Sequence, residues 1–137
     1  MWWAYALLSA VFAALTAIFA KIGIKDVNTD LATAIRTVVI LIIAWGIVAW
    51  RGGAEQLSSL TKQNWIFLGL SGLATGLSWI FYFKALQVGK VAQVAPVDKL
   101  SVALAIILSA VFLKEVITWK MAVGAVLIIA GTFVLIL

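Results

Sequence analysis

The chain has 137 residues, 66% of them hydrophobic and 11% charged, with a net charge of +5 and neither histidine nor cysteine. Soluble domains carry about 25% charged residues, so this composition is that of a membrane protein, with nearly all of the chain used in spanning and no room for a soluble domain. Disulfides, thiol chemistry and the usual zinc, haem and iron–sulfur ligand sets are excluded, and no metal or cofactor is expected.

The ten basic residues stand thinly along the chain, mostly at the edges of apolar segments. That is the placement of membrane anchors rather than of a tract that binds nucleic acid. Apolar runs read against polar breaks then give five spans. The first covers about Trp3–Ile22. It lacks a basic leader and is long enough to cross a bilayer, so it reads as a retained helix and not as a signal peptide. The break "KIGIKDVNTD" follows, where Asn28 or Asp30 can cap the next helix. The second span, Leu31–Trp50, stops at "RGG" and a polar linker to Asn64. The third, about Trp65–Leu86, ends in the turn "QVGK". The fourth, about Val91–Leu113, is closed by "KE", and the fifth covers about Ile117–Leu137. Each is about 30 Å long at the helical rise, matching a bilayer core. Tryptophans 2, 3, 50, 65 and 119 fall near predicted ends, as an aromatic belt does, while Trp45 and Trp79 sit deeper.

Small residues mark candidate packing faces. Ser9, Ala13, Thr16, Ala20 and Gly23 share one stripe of the first span, and Gly69, Gly72 and Gly76 one of the third. Gly124 and Gly131 are a heptad apart on the fifth. Such stripes allow close backbone approach. They serve either packing within one subunit or a dimer seam, for which the fifth span is the first candidate.

An odd number of spans puts the termini on opposite sides. Arg51, Lys62, Lys114 and Lys120 then share the side of the N-terminus, and Lys21, Lys25, Lys84 and Lys90 the other. The positive-inside rule reads this kind of asymmetry, and here there is none. Two readings remain: signals in the first helix alone, or dual topology, with the chain inserting both ways and pairing antiparallel with itself. Many transporters bind substrate between two inverted halves, and a single repeat supplies both only by dimerising with an inverted copy.

Arg36, Asp98 and Lys99 lie inside predicted spans. Each costs about 2.5–3.5 kcal/mol at a span centre and less near its end. Neighbours on a helix point about 100° apart, so Asp98 and Lys99 are each expected to find a separate partner. Arg36 lies about 7–8 Å, and Asp98 roughly 10 Å, from the same membrane side, so an Arg36–Asp98 pair is open. Asp98, Ser101, Ala105 and Ser109 form one stripe, and Thr33, Arg36 and Thr37 another. Three readings compete. Arg36 and Lys99 snorkel, with Asp98 a structural counter-ion. Alternatively, Pro96 is the first helical residue and Asp98 favours the helix dipole. In the third, the charges line a hydrated substrate pathway where Pro96 breaks the helix and frees the carbonyl of Ala92. Lys21, Arg36, Lys84 and Lys99 against Asp98 make that end net positive, which suits an anionic, zwitterionic or neutral polar solute. The small multidrug-resistance dimers are of similar size but carry a glutamate in the first helix for cations, and the first span here holds no acid.

The segments "FAKIG", "ATAIRT", "YFKAL", "APVDKLS" and "FLKE" followed by "GAVLIIAG" together resemble the EamA family of the drug/metabolite transporter superfamily. The terminal Glu115 followed by Gly124 and Gly131 is a recurring pattern of that family. The resemblance implies an all-α integral membrane protein of five transmembrane helices, one repeat of a fold that most members carry twice in inverted orientation. It implies residues 1–137 as a single domain, the inner membrane of a bacterium or archaeon, no cofactor, and secondary transport of a small metabolite by alternating access. With one repeat, an antiparallel homodimer or a heterodimer with a related small subunit is expected. The expected pathway residues are Arg36, Asp98, Lys99, Ser101 and Thr37, with Lys84 and Glu115 as weaker candidates because terminal charges are usually anchors. Asp98 is the carboxylate best placed for proton coupling; direct exchange fits as well. No GxxxxGK[ST] loop is present, so ATP is not the driving force. A flippase for a lipid-linked head group and a non-transporting scaffold subunit are the alternatives, and an enzyme is not expected.

Overall fold

A computed structural model describes residues 1–137, which form helices and turns with no strand. The six α-helices are α1 (Trp2–Gly23), α2 (Thr29–Arg51), α3 (Lys62–Val88), α4 (Val91–Asp98), α5 (Leu100–Phe112) and α6 (Trp119–Ile136), with a 3-10 helix at Gly53–Ser59 between α2 and α3. Taken together, α4 and α5 form one stretch, Val91–Phe112, so five helical segments are long and apolar enough to cross a membrane. The shortest, α6, has 18 residues, about 27 Å at the helical rise.

Local chemistry sets the ends. Asn28 is the N-cap of α2, its Oδ1 accepting from the backbone N–H of Asp30 at 2.9 Å and of Leu31 at 3.1 Å. Gly52 closes the same helix at φ 75, the left-handed conformation that costs glycine nothing. Thr61 and Asn64 bond reciprocally at the start of α3, which therefore begins three residues before the expected Trp65. Thr118 caps α6 through the N–H of Met121 at 3.3 Å, so that helix starts at Trp119 rather than Ile117.

The chain divides into two compact units. One comprises residues 19–87, with the end of α1, all of α2, the 3-10 helix and α3 up to Gln87. Its packed point is the C-terminal end of α3, where Phe83 and Leu86 are fully buried. The Gln87 side chain donates to the carbonyls of Ile24 at 3.2 Å and Val27 at 2.8 Å, and the Lys21 ammonium donates to the carbonyl of Leu86. The α1–α2 turn, which holds Asp26 at φ 59, is thereby tied to the end of α3.

The other unit comprises residues 1–18 and 88–137. Within it α6 packs on both α4 and α5. Ala17, Ala103 and Thr132 are its buried residues.

Candidate functional site

Two places carry the polar chemistry, one in each unit. In the unit of residues 19–87, Arg36 projects from the second turn of α2. Its guanidinium carbon lies 4.4 Å from the ring centroid of Phe83 and 5.0 Å from that of Trp79. Trp79 and Phe83 are four residues apart and so share one face of α3. A cation between two ring faces is attracted by both, by about 0.5–1 kcal/mol per contact in water and about 2 when desolvated. Ring faces satisfy the charge but not every N–H. Arg36 Nη1 is buried with no hydrogen-bond partner. The hydroxyls nearest in sequence turn into their own helix: Thr33 Oγ1 donates to the carbonyl of Thr29 and Thr37 Oγ1 to that of Thr33, both at 2.8 Å. Lys84 sits one residue past Phe83 and pairs with Asp30 at 3.6 Å, both side chains more than half exposed.

In the unit of residues 1–18 and 88–137, the fourth span is interrupted at Lys99. The helix begins at Val91, with Lys90 as its N-cap. The reading in which Pro96 is the first helical residue and Asp98 merely meets a helix dipole is therefore corrected: Pro96 lies inside α4. Proline has no N–H to give the carbonyl of Ala92. The ladder then tightens beyond it, with Lys99 N–H reaching the carbonyls of both Ala95 (3.3 Å) and Pro96 (3.0 Å), and Val102 N–H that of Lys99 (3.0 Å). These three-residue closures end α4 at Asp98 and put the interruption at Lys99, three positions past the proline. The carbonyl of Pro96 also lies 3.2 Å from the hydroxyl of buried Thr132 on α6.

At this interruption Lys99 Nζ contacts Asp98 Oδ2 at 3.3 Å. The expectation that these neighbours would not pair is thus overturned. Lys99 sits in the turn, and its long side chain folds back over the last residue of α4. The pair is an open one, with the side chains 55% and 36% exposed, and so a weak tie. Ser101 lies exposed just beyond, at the start of α5. Glu115 lies past the end of α5, where its backbone N–H meets the carbonyl of Ser109 at 3.3 Å. Side-chain carbons added at Gly72, Gly76, Gly124 or Gly131 would meet nothing within 4 Å. No group of three or more metal-ligating side chains is present.

The comparisons fit this layout of five apolar helices with charge held inside two of them. The model of the EamA-like transporter family matches residues 1–137. This chain belongs to that family. An uncharacterized transporter in the cobO 3′ region of a Sinorhizobium species is 49% identical over 134 residues, which cover 98% of this chain and 95% of that protein. No solved structure matches. This EamA-family chain is therefore a multi-pass membrane protein of a transporter family, as the motif resemblance implied, and both findings point to transport rather than catalysis.

Sequence reasoning singled out Arg36 but missed Trp79 and Phe83 as its neighbours. A signal existed: Trp79 is one of two tryptophans away from predicted helix ends, and a phenylalanine follows it at helical spacing. Gln87 and Thr132 gave no comparable signal, since a glutamine in a turn and a threonine in an apolar helix are ordinary on their own.

Proposed function

We propose that this EamA-family protein is a secondary transporter of a small polar solute, working by alternating access as an antiparallel homodimer in a bacterial or archaeal inner membrane. The observation that carries the reading is the interrupted fourth span. A turn tightened within its membrane length at Lys99, beside Asp98 and three residues past a proline that cannot donate to the carbonyl of Ala92, places charge where it is tolerated only if it lines a cavity or is covered by protein. Arg36, Thr37 and Ser101 supply further polar groups for such a pathway. Pairing of two repeats from separate chains is supported by the length of the Sinorhizobium relative, of which 134 residues are 95%; that protein has no room for a second five-helix repeat.

Flux into liposomes checks the reading, using a set of carboxylate, phosphate and zwitterionic metabolites with wild-type protein and Asp98→Asn. At least one solute is expected to move, with Asp98→Asn slowing it tenfold or more, in order of magnitude, through loss of a membrane carboxylate. If nothing moves and the substitution alters only stability, the protein is a scaffold subunit and the proposal fails.

A further inference from the structure

We infer that Arg36, held between Trp79 and Phe83, is the docking group for one oxyanion, a carboxylate or a phosphate, borne either by a soluble solute or by a lipid head group. The inference rests on the transport reading and narrows its ligand to a chemical class.

Three observations converge on it. The first is the orphan donor. Nη1 of Arg36 is buried without an acceptor, an expensive state for a charged N–H in apolar surroundings. The aromatic rings at 4.4 and 5.0 Å hold the guanidinium beside α3 and oppose its snorkelling, without themselves completing that bond. The second is the absence of a local carboxylate to complete it. At this end of the unit the acids are Asp26 and Asp30, against Lys21, Lys25, Arg36 and Lys84. Asp30 is already held by Lys84 at 3.6 Å. The hydroxyls of Thr33 and Thr37 bond the carbonyls of Thr29 and Thr33 in their own helix, and neither accepts from Nη1. Positive charge is left over where a donor is left over. The third is the residue type. A guanidinium presents a planar fork of donors that matches a carboxylate or phosphate edge, which an ammonium does not. A cation would be repelled here, and a neutral hydroxyl would accept from the guanidinium without adding the attraction of an opposite charge.

Benzoate and inorganic phosphate serve as soluble probes, added to purified protein in maltoside micelles, which carry no phosphate or carboxylate of their own. Phosphatidylglycerol added to the same micelles is the lipid arm. Calorimetric binding is expected in at least one arm. Arg36→Gln and Arg36→Lys should each weaken it about tenfold or more, the equivalent of about 1.4 kcal/mol, with Trp79→Leu weakening it as well. Lys120→Gln, a change of the same charge elsewhere, should leave it intact. A soluble probe that phosphatidylglycerol displaces assigns both sources to one site; binding of the lipid alone assigns the head group. Binding unchanged by Arg36→Gln, or absent from both arms, overturns the inference. Should Arg36→Gln fail to fold, Arg36→Lys and Trp79→Leu decide it in the same way. The two proposals fail separately: flux that survives without oxyanion binding leaves the transporter and removes this site, whereas oxyanion binding without flux does the reverse.

Discussion

Thr132 and Gln87 do work that side chains of their kind rarely advertise. The Thr132 hydroxyl lies 2.8 Å from the carbonyl of Ile128, the usual bond back into its own helix, and 3.2 Å from that of Pro96. Its one proton is shared between them, and the second contact joins α6 to the turn of α4 that the proline has loosened. Thr132→Val keeps the shape and removes the proton. It should destabilise the protein by about 0.5–1.5 kcal/mol, the range for one interhelical hydrogen bond in a membrane protein, read from reversible unfolding in mixed micelles. Gln87→Leu removes two donors from the carbonyls of Ile24 and Val27 and should cost about 1–3 kcal/mol by the same measurement. A loss smaller than that of Thr132→Val would mean that water replaces the amide. Neither role was legible in sequence. Arg36 was legible because charge in an apolar run is rare, and its aromatic neighbours were only half so, through the depth of Trp79. What decides such contacts is which face of one helix meets another, and that information is non-local.

Helices are the scale at which sequence spoke most clearly. All five spans were found, since an apolar run of about twenty residues has no other stable use. The ends moved by two or three residues where a capping side chain, rather than hydropathy, fixes the first turn, as at Thr61 and Thr118. The exception is the fourth span. Its hydropathy is continuous, yet its helix stops at Asp98 and restarts at Leu100. Pro96 was the visible warning, and its effect falls three residues later because the N–H groups beyond it settle on nearer carbonyls. Pro96→Ala restores a donor for the carbonyl of Ala92. The substitution should join α4 to α5, raise amide-exchange protection at Lys99 and Leu100, and leave stability unchanged or improved by up to about 3 kcal/mol. If the interruption serves transport, flux should fall although the protein is no less stable. A faster or unchanged flux would make the break incidental.

For the whole molecule the deciding quantity is orientation, and it is a question of charge rather than of shape. Four basic residues on each predicted side leave the insertion machinery almost no gradient to read. The fold cannot supply one, since the same five helices are compatible with either direction. The absence of cysteine makes the matter directly accessible, because one introduced thiol has no background. A cysteine at Gln56, exposed in the 3-10 helix between α2 and α3, should react with an impermeant maleimide from outside intact cells in about half of the molecules if insertion is dual, and in all or none if it is single. The gradient itself can then be altered. Adding two lysines between Gly53 and Ser59 should drive that side inwards; replacing Arg51 and Lys62 with glutamine should drive it outwards. For an antiparallel dimer, each biased variant alone should lose flux, because every copy then faces the same way, and co-expression of the two should restore it. Full activity from one biased variant would rule out the inverted pair and leave a parallel assembly or a single chain as the working unit.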